Sequence, residues 1–458
     1  MPTPTTSVSA PARRATNPAA RVALVLASLG FFLITLDILI VNVALTTIGR
    51  ELGGSTSGLQ WVIDAYTLLF ASLLLFAGNL SDRIGAKRAI GWGIGGFLVA
   101  SVACAVAPTL GALIAARAVQ GAAAAIMLPA SMALIREAYP DPRERTHALG
   151  IWAVGGAVAG AVGPILGGAL TTLDWRLVFG INLPVCVVML VMLTRVRSSP
   201  RRPSRFDPAG QVLALLTLAG LVFGLIEGGA VGFGTWYVLT ALVVAVLALV
   251  GFVVVQARGQ HPMMPLDLFR SGGMRIALGI GFAFMVGNFG SVFVLSLYLQ
   301  QHLGLSPLLA GLVFLPSAAF AIAGNIVSGS LANRFGARVP VVAGLTTMVL
   351  GLVVVIVLAP TDSWVAVAVC SILTGAGGSV AMPPATSVVL ASVPAERSGT
   401  ASAVFNTFRQ AGGAVAIAVF GAFLADRADF VTGTQLSFVV AGAVILVAAA
   451  AATRIRTV

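Results

Sequence analysis

Charge is scarce in this chain: Asp, Glu, Lys and Arg make up 9% of its 458 residues, against about 25% in ordinary soluble domains. That scarcity excludes a soluble globular protein. Lysine is rarer still. Lys87 is the only one, so a GxxxxGK[ST] phosphate loop would have to end there, and Ala86 stands where its glycine must be. ATP hydrolysis is not expected, and nothing else in the sequence reads as an enzyme. The three cysteines, Cys104, Cys186 and Cys370, fall inside apolar runs, where a thiol behaves as a small buried hydrophobe. No disulfide framework, metal site or cofactor site is read from them. The three histidines, His147, His261 and His302, lie in loops or at the ends of runs, so none is placed as a proton relay.

What is present is apolar length. Hydrophobic residues make up 58% of the chain, and runs of about 20 residues, each enough to cross a ~30 Å hydrocarbon core, recur with short breaks. Fourteen spans are expected at 22–45, 58–80, 88–107, 110–133, 147–172, 177–194, 209–228, 235–256, 275–300, 307–331, 339–358, 364–390, 398–424 and 433–453. The first run is too long for a signal-peptide core and reads as a span, and Arg13-Arg14 lacks the apolar follow-on of an export signal. The net charge of +12 is spread singly over the breaks, which argues for topology rather than nucleic acid. Outside the predicted cytoplasmic segments lie only Arg50, Arg176 and Arg427 in outer loops and Arg117 and Arg409 within spans. The positive-inside rule then puts both termini in the cytoplasm.

The chain also repeats itself. GNLSDRIGAKR at 78–88 returns as GSLANRFGARV at 329–339, and RERTHALGIWAVGGAV at 143–158 resembles AERSGTASAVFNTFRQ at 395–410. Two matches at nearly one offset imply a duplicated unit. The expected organisation is a cytoplasmic tail (1–21), a six-span bundle (22–194), a basic linker (195–208), two inserted spans (209–256), a second linker (257–274), a second six-span bundle (275–453) and a short tail (454–458). Parallel repeats of this kind enclose a central cavity near the bilayer midplane.

Several motifs carry chemistry. Asp37 sits in FFLITLDILIVNVAL, where an aspartate costs about 2.5–3.5 kcal/mol on insertion scales. Arg117 in LIAARAVQGAAAAIMLPA cannot shed its proton, so inside a span it needs an anionic partner, and Asp37 is the natural candidate. The alternative is a static pair needed only for folding. A second acid, Asp64 in WVIDAY, lies near the predicted outer end of the second span, as a substrate-attracting or proton-relaying carboxylate or as an interfacial helix-end residue. Glu227 in the seventh span is a weaker case, and Arg409 lacks an obvious acidic partner in its own half. In GGAVAGAVGPILGG, Gly156, Gly160, Gly163 and Gly167 form a stripe for close helix packing, followed by Gly168, and Pro164 offers a flexing point. Phe284, Phe289, Phe293, Tyr298, Phe314 and Phe320 crowd spans nine and ten, as a greasy pocket or as ordinary packing.

GNLSDRIGAKR resembles the signature loop between the second and third spans of the major facilitator superfamily, with Gly78, Asp82, Arg83, Gly85 and Arg88 as a cytoplasmic latch. The second copy has Asn333 in the aspartate position, followed by Arg334. The Arg117-containing stretch resembles the fourth-span motif implicated in proton transfer, and the glycine stripe with Gly163-Pro164 resembles the fifth-span motif of antiporters. LDILIVNVAL and WVIDAY are similar to fourteen-span drug:proton antiporters of the methylenomycin-resistance and quaternary-ammonium type. The resemblance implies an all-α integral membrane protein of two six-helix bundles plus two inserted helices. It also implies antiport of small amphipathic or cationic drugs against protons by alternating access, in the bacterial inner or plasma membrane. Coupling would rest on Asp37, Arg117 and Asp64, and the substrate cavity on Asn42, Asp64, Gln120, Phe289, Phe293 and Phe314. The expected partners are a small-molecule substrate, protons and the lipid bilayer, with no nucleic acid, no cofactor and a functional monomer. Export of a native lipid, peptide or metabolite is the alternative within the class, and a non-transporting sensor or scaffold the alternative outside it.

Overall fold

The computed structural model describes residues 18–201, 206–259, 262–394, 397–425 and 430–455; Arg13, Arg14, His261 and Arg427 lie outside them. Among the described residues the chain is all-α. Its long helices are α1 Pro18–Leu52, α2 Thr56–Ile84, α3 Ala86–Ala105, α4 Leu110–Ala138, α5 Glu144–Leu173, α6 Leu177–Thr194, α7 Pro208–Val231, α8 Trp236–Arg258, α9 Gly272–His302, α10 Pro307–Phe335, α11 Arg338–Thr361, α12 Trp364–Ala391, α13 Ser398–Phe423 and α14 Phe430–Ala452. Thirteen are both long and apolar enough to span a membrane. The exception is α13, which at 26 residues has the length but is diluted by Asn406, Arg409 and Gln410.

Several helices outrun their apolar cores, because their polar ends continue the hydrogen-bonded spiral past the hydrocarbon. Two carry breaks that the apolar pattern does not show. Ile181 separates Leu177–Gly180 from Asn182–Thr194 within α6. Phe314 separates Pro307–Val313 from Leu315–Phe335 within α10, where Pro316 has no N–H to donate. Pro164, by contrast, sits inside a continuous α5.

The first half is knit by α1 against α5 and by α2 and α3 against α4; the second by α9 against α13 and by α10 and α11 against α12. The internal repeat is visible in the backbone. The turn from α2 to α3 places Gly85 at φ 90°, and the matching turn from α10 to α11 places Gly336 at φ 73°, a region costly for any residue with a Cβ.

The near end is the one where α1 starts, and the far end the one where it finishes. The halves are sewn together at the far end. Ser296 Oγ donates to Asn42 O at 3.0 Å and Gln300 Nε2 to Val43 O at 3.0 Å. Gln60 Nε2 donates to Ile417 O at 2.9 Å and Ala418 O at 3.0 Å. There α5 and α10 also cross with glycine contacts: a Cβ on Gly311 would run into the Pro164 carbonyl, and one on Gly168 into that of Pro307.

The two inserted helices are not equivalent. α7 lies across the seam, against both α2 and α13, whereas α8 packs chiefly on α7. Toward α2 the contacts include hydrogen bonds, Gln211 Nε2 to Ser72 O at 2.8 Å and Trp61 Nε1 to Glu227 Oε1 at 3.0 Å. Toward α13 they are apolar and small: Val222 and Ile226 cluster with Ala414 and Ala418, and Gly229 abuts Ala422. Glu227 thus has a partner, the indole of Trp61 in WVIDAY.

Candidate functional site

Asp37 and Arg117 meet. α4 presents Arg117 and, three residues on, Gln120, a spacing that puts both on one helix face. α1 supplies Asp37 from within its apolar run, α3 supplies Ser101 and Cys104, and α6 supplies Asn182 immediately after its break at Ile181. Gly121 lets α4 lie on α2, since any Cβ there would collide with the Tyr66 backbone carbonyl.

The network they form is dry. Asp37, Arg117, Gln120, Ser101 and Asn182 are each 0% exposed, so every charge must be answered from within the protein. Arg117 Nη1 pairs with Asp37 Oδ2 and donates to Gln120 Oε1 at 2.8 Å, and Arg117 Nε donates to Val62 O at 3.0 Å. Asp37 Oδ1 accepts from Gln120 Nε2 and Asn182 Nδ2, each at 2.9 Å. Both amides also reach Ser101 Oγ, at 2.9 and 3.2 Å. The guanidinium carbon lies 4.3 Å from the Tyr66 ring centroid and 5.8 Å from that of Phe179, within cation–π range.

Chemically this is a carboxylate held as an acceptor. An ionised carboxylate only accepts, and every group aimed at Asp37 donates. A proton on Asp37 would bring an O–H into a ring of N–H groups and require an acceptor. The buried Asn182 Oδ1 and Arg117 Nη2 have no partner in the present arrangement. The site therefore has a hydrogen-bond pattern specific to the ionised form and spare polar atoms from which a different pattern can be built.

The position of the pair differs from expectation. Instead of lining a cavity between the halves, it is fully buried and its partners all come from the first half, with Asn182 of α6 on Asp37 and Ser101 of α3 on the two amides that hold it. Neither Asn182 nor Ser101 was picked out in the sequence. The available signal was a lone asparagine in the apolar LVFGINLPVCVVML.

The six residues assigned to a substrate cavity are all buried: Asn42 4%, Asp64 0%, Gln120 0%, Phe289 9%, Phe293 0% and Phe314 6% exposed. Gln120 is committed to Asp37. Asn42 donates to Ile38 O at 2.8 Å, one turn back on its own helix. Phe293 and Phe314 belong to the main apolar core, Phe289 to the neighbouring one, and Tyr298 is buried with Phe293; Phe320 faces outward. Asp64 is not at an outer mouth. α2 starts two turns earlier, at Thr56, and carries Asp64 into the packed interior. There Thr67 Oγ1 donates to its Oδ1 at 3.0 Å and Oδ2 has no partner.

At the near end Asp82 faces Arg136 of α4, at 3.6 Å between half-exposed side chains, a contact worth about 0–1 kcal/mol. Arg83 and Arg88 are exposed. The firmer ties come from the segment after α6: Lys87 Nζ donates to Val196 O at 2.5 Å, Lys87 N to Ser199 Oγ at 3.0 Å, and Ser199 Oγ to Glu137 Oε2 at 2.5 Å. Asn333 and Arg334 in the second copy are exposed, and the Arg334 guanidinium lies 5.2 Å from the Phe335 ring. The close approach expected at Gly78 is absent: a Cβ there would meet nothing within 4 Å, because that stretch of α2 does not cross another backbone.

The glycine stripe on α5 needs one correction. Gly156, Gly163 and Gly167 pack against α1, at Phe31, Leu39 and Ile40, but Gly160 is exposed with nothing within 4 Å. Ala159, fully buried, takes the place in the row, since 3.6 residues per turn carries position 160 past the contact line.

These residues belong to a chain with known relatives. The model of the family described as the Major Facilitator Superfamily matches residues 27–417 and 276–457. The chain is 38% identical over 429 residues to the methylenomycin A resistance protein of Streptomyces coelicolor, covering 93% of this chain and 90% of that protein. It is 37% identical over 406 residues to the multidrug resistance protein Stp of Mycobacterium tuberculosis, covering 88% and 75%. Among solved structures, a bacterial homolog of the human lysosomal transporter Spinster, inward-facing and unoccupied, aligns with a TM-score of 0.67 at 19% identity over 95% of this chain and 97% of that one. At that identity the likeness speaks for the fold.

Proposed function

The chain belongs to the Major Facilitator Superfamily, and within it we propose that this protein exports small amphipathic or cationic drugs in exchange for protons, by alternating access. It is a multi-pass membrane transporter. The observation that carries the coupling reading is the dry Asp37–Arg117 network. A carboxylate is kept inside a span among donors only, where adding a proton must rearrange its partners. Drug export is supported by the resistance and multidrug proteins to which the chain is similar over most of its length.

In this reading the near end is cytoplasmic, with both termini there, and the far end, where the halves are hydrogen-bonded together, is the closed outer gate. Protons are the coupling ion, no cofactor takes part, and a monomer suffices. The membrane is the bacterial inner or plasma membrane. One charge crossing 100 mV yields about 2.3 kcal/mol.

The test uses inverted vesicles energised by a pH gradient and supplied from outside with one cationic and one neutral compound. Accumulation of both should collapse when an uncoupler removes the gradient, and persistence would sink proton coupling. The same vesicles assign Asp64. As a substrate-attracting carboxylate, Asp64→Asn should lower transport of the cation by about 5-fold or more, the effect of roughly 1 kcal/mol, and spare the neutral compound. As a second proton carrier it should lower both. Its complete burial beside a single hydroxyl donor favours the second outcome, because a charge enclosed by protein is poorly placed to attract a solvated cation.

A further inference from the structure

Arg409 is a cation in the middle of a span, and among the described residues no anion pairs with it. It lies near the centre of α13, Ser398–Phe423, and no Asp or Glu occurs within α9 to α14. An arginine remains charged in any protein setting, and inside a membrane such a group pairs with an anion or faces a polar space. Arg117 meets that need through Asp37. For Arg409, Nη1 donates to Asn406 Oδ1 at 3.2 Å, and the buried Nε has no partner.

The surroundings hold the side chain in place rather than neutralise it. Asn406 Nδ2 donates to Ser402 O at 3.0 Å, which turns its carbonyl oxygen toward Arg409. Gly281 on α9 makes room for the stem: a Cβ there would lie 2.9 Å from Arg409 Cγ. The guanidinium carbon lies 5.7 Å from the Phe284 ring centroid and 5.9 Å from that of Phe405. Phe284 packs against the two large apolar clusters, each of which includes side chains from both halves, which puts the group beside the contact between them. The residue is half-buried, its Nε is buried without a partner, and two aromatic faces flank the guanidinium.

We propose that Arg409 is the anchor for an anionic group on the transported molecule, and that the site takes organic carboxylates with an aromatic or apolar body. The carboxylate meets the guanidinium in a charge-assisted hydrogen bond, while Phe284 and Phe405 receive the apolar part. A mid-span position keeps lipid head groups at a distance, which leaves cargo as the source of the anion. That last step rests on the export reading above; the binding itself does not.

The experiment compares 1-naphthoate with its methyl ester, two ligands that differ in charge at the same aromatic body. Binding to the purified full-length protein is read by ligand-induced thermal shift and by equilibrium dialysis at fixed detergent. The wild type should bind the carboxylate at least tenfold more tightly than the ester. Arg409→Gln should remove that preference while leaving ester binding within about twofold, and Arg409→Lys should keep part of it, since the charge persists without the fork. The ligand-free melting temperature of Arg409→Gln should equal or exceed that of the wild type, because an unanswered cation has been removed. No carboxylate preference in the wild type, or an equal preference in Arg409→Gln, overturns the assignment. A lower melting temperature in both variants with the preference intact identifies a structural arginine and overturns it as well. If binding follows the expected pattern but energised vesicles export neither ligand, the site stands and the export reading fails.

Discussion

Asp37→Asn should reduce pH-driven export to the background of vesicles lacking the protein, while the chain still inserts. The amide keeps the shape of the carboxylate but has no charge to exchange. It also places an N–H₂ among the donors from Arg117, Gln120 and Asn182, where an acceptor is required. The Arg117 charge is then buried without compensation, at a cost of about 3–5 kcal/mol, so the melting temperature should fall along with transport. The double variant Asp37→Asn, Arg117→Gln separates the two effects: stability should largely return, and transport should not. Arg117→Lys belongs between these limits, because a lysine retains the charge but cannot reproduce the donations to Val62 O and Gln120 Oε1 along with the pairing to Asp37. Substrate accumulation in Asp37→Asn vesicles that still responds to pH would remove the coupling role from this residue.

The next largest effect is expected at Gly167. A Cβ there would lie 2.6 Å from the Ile40 carbonyl oxygen on α1, and backbone cannot step aside as a side-chain tip can. Gly167→Leu overpacks the α1–α5 crossing, which typically costs about 1–3 kcal/mol, and it pushes on the helix that carries Asp37 one turn away. Export should drop by an order of magnitude or more. Gly160→Leu provides the internal control, because its Cβ would enter open space; that variant should express and export like the wild type. Equal loss at both positions would mean that α5 tolerates no added bulk anywhere and that the α1 crossing is not the cause.

What the sequence showed and what it hid follow one physical division. Apolar length, the internal repeat and the rarity of charge in a span are properties of the chain itself, and they led to fourteen helices and to the meeting of Asp37 with Arg117. Contacts that depend on where two backbones cross were less legible. Gly78 and Gly160 read as packing glycines because glycine is common in membrane helices, yet only an actual crossing makes the missing Cβ useful, and neither position lies at one. Asp64 read as interfacial because the apolar run ends near it, whereas the helix begins earlier and draws it inside. Asn182 was hidden by an apolar neighbourhood that conceals the turn at Ile181. The tie between the α2–α3 turn and Ser199 was equally invisible, since it joins segments distant in sequence through one hydroxyl.

The attachment of α7 has a mechanical corollary. Hydrogen bonds are directional and hold a register, whereas contacts among small apolar residues allow one surface to glide over another with little change in energy. α7 is pinned to α2 by Gln211 and Glu227 and merely rests on α13 through Val222, Ile226, Ala414, Ala418 and the Gly229–Ala422 contact. If the halves rock as the proposed alternating access requires, α7 should travel with the first half, with the α13 face as its bearing surface. Distances between spin labels on α7 and α2 should then stay fixed as the transporter changes state, while those between α7 and α13 change. The inserted pair would thus be a sliding seal that rides with one half and keeps lipid out of that side of the seam at every stage of the movement.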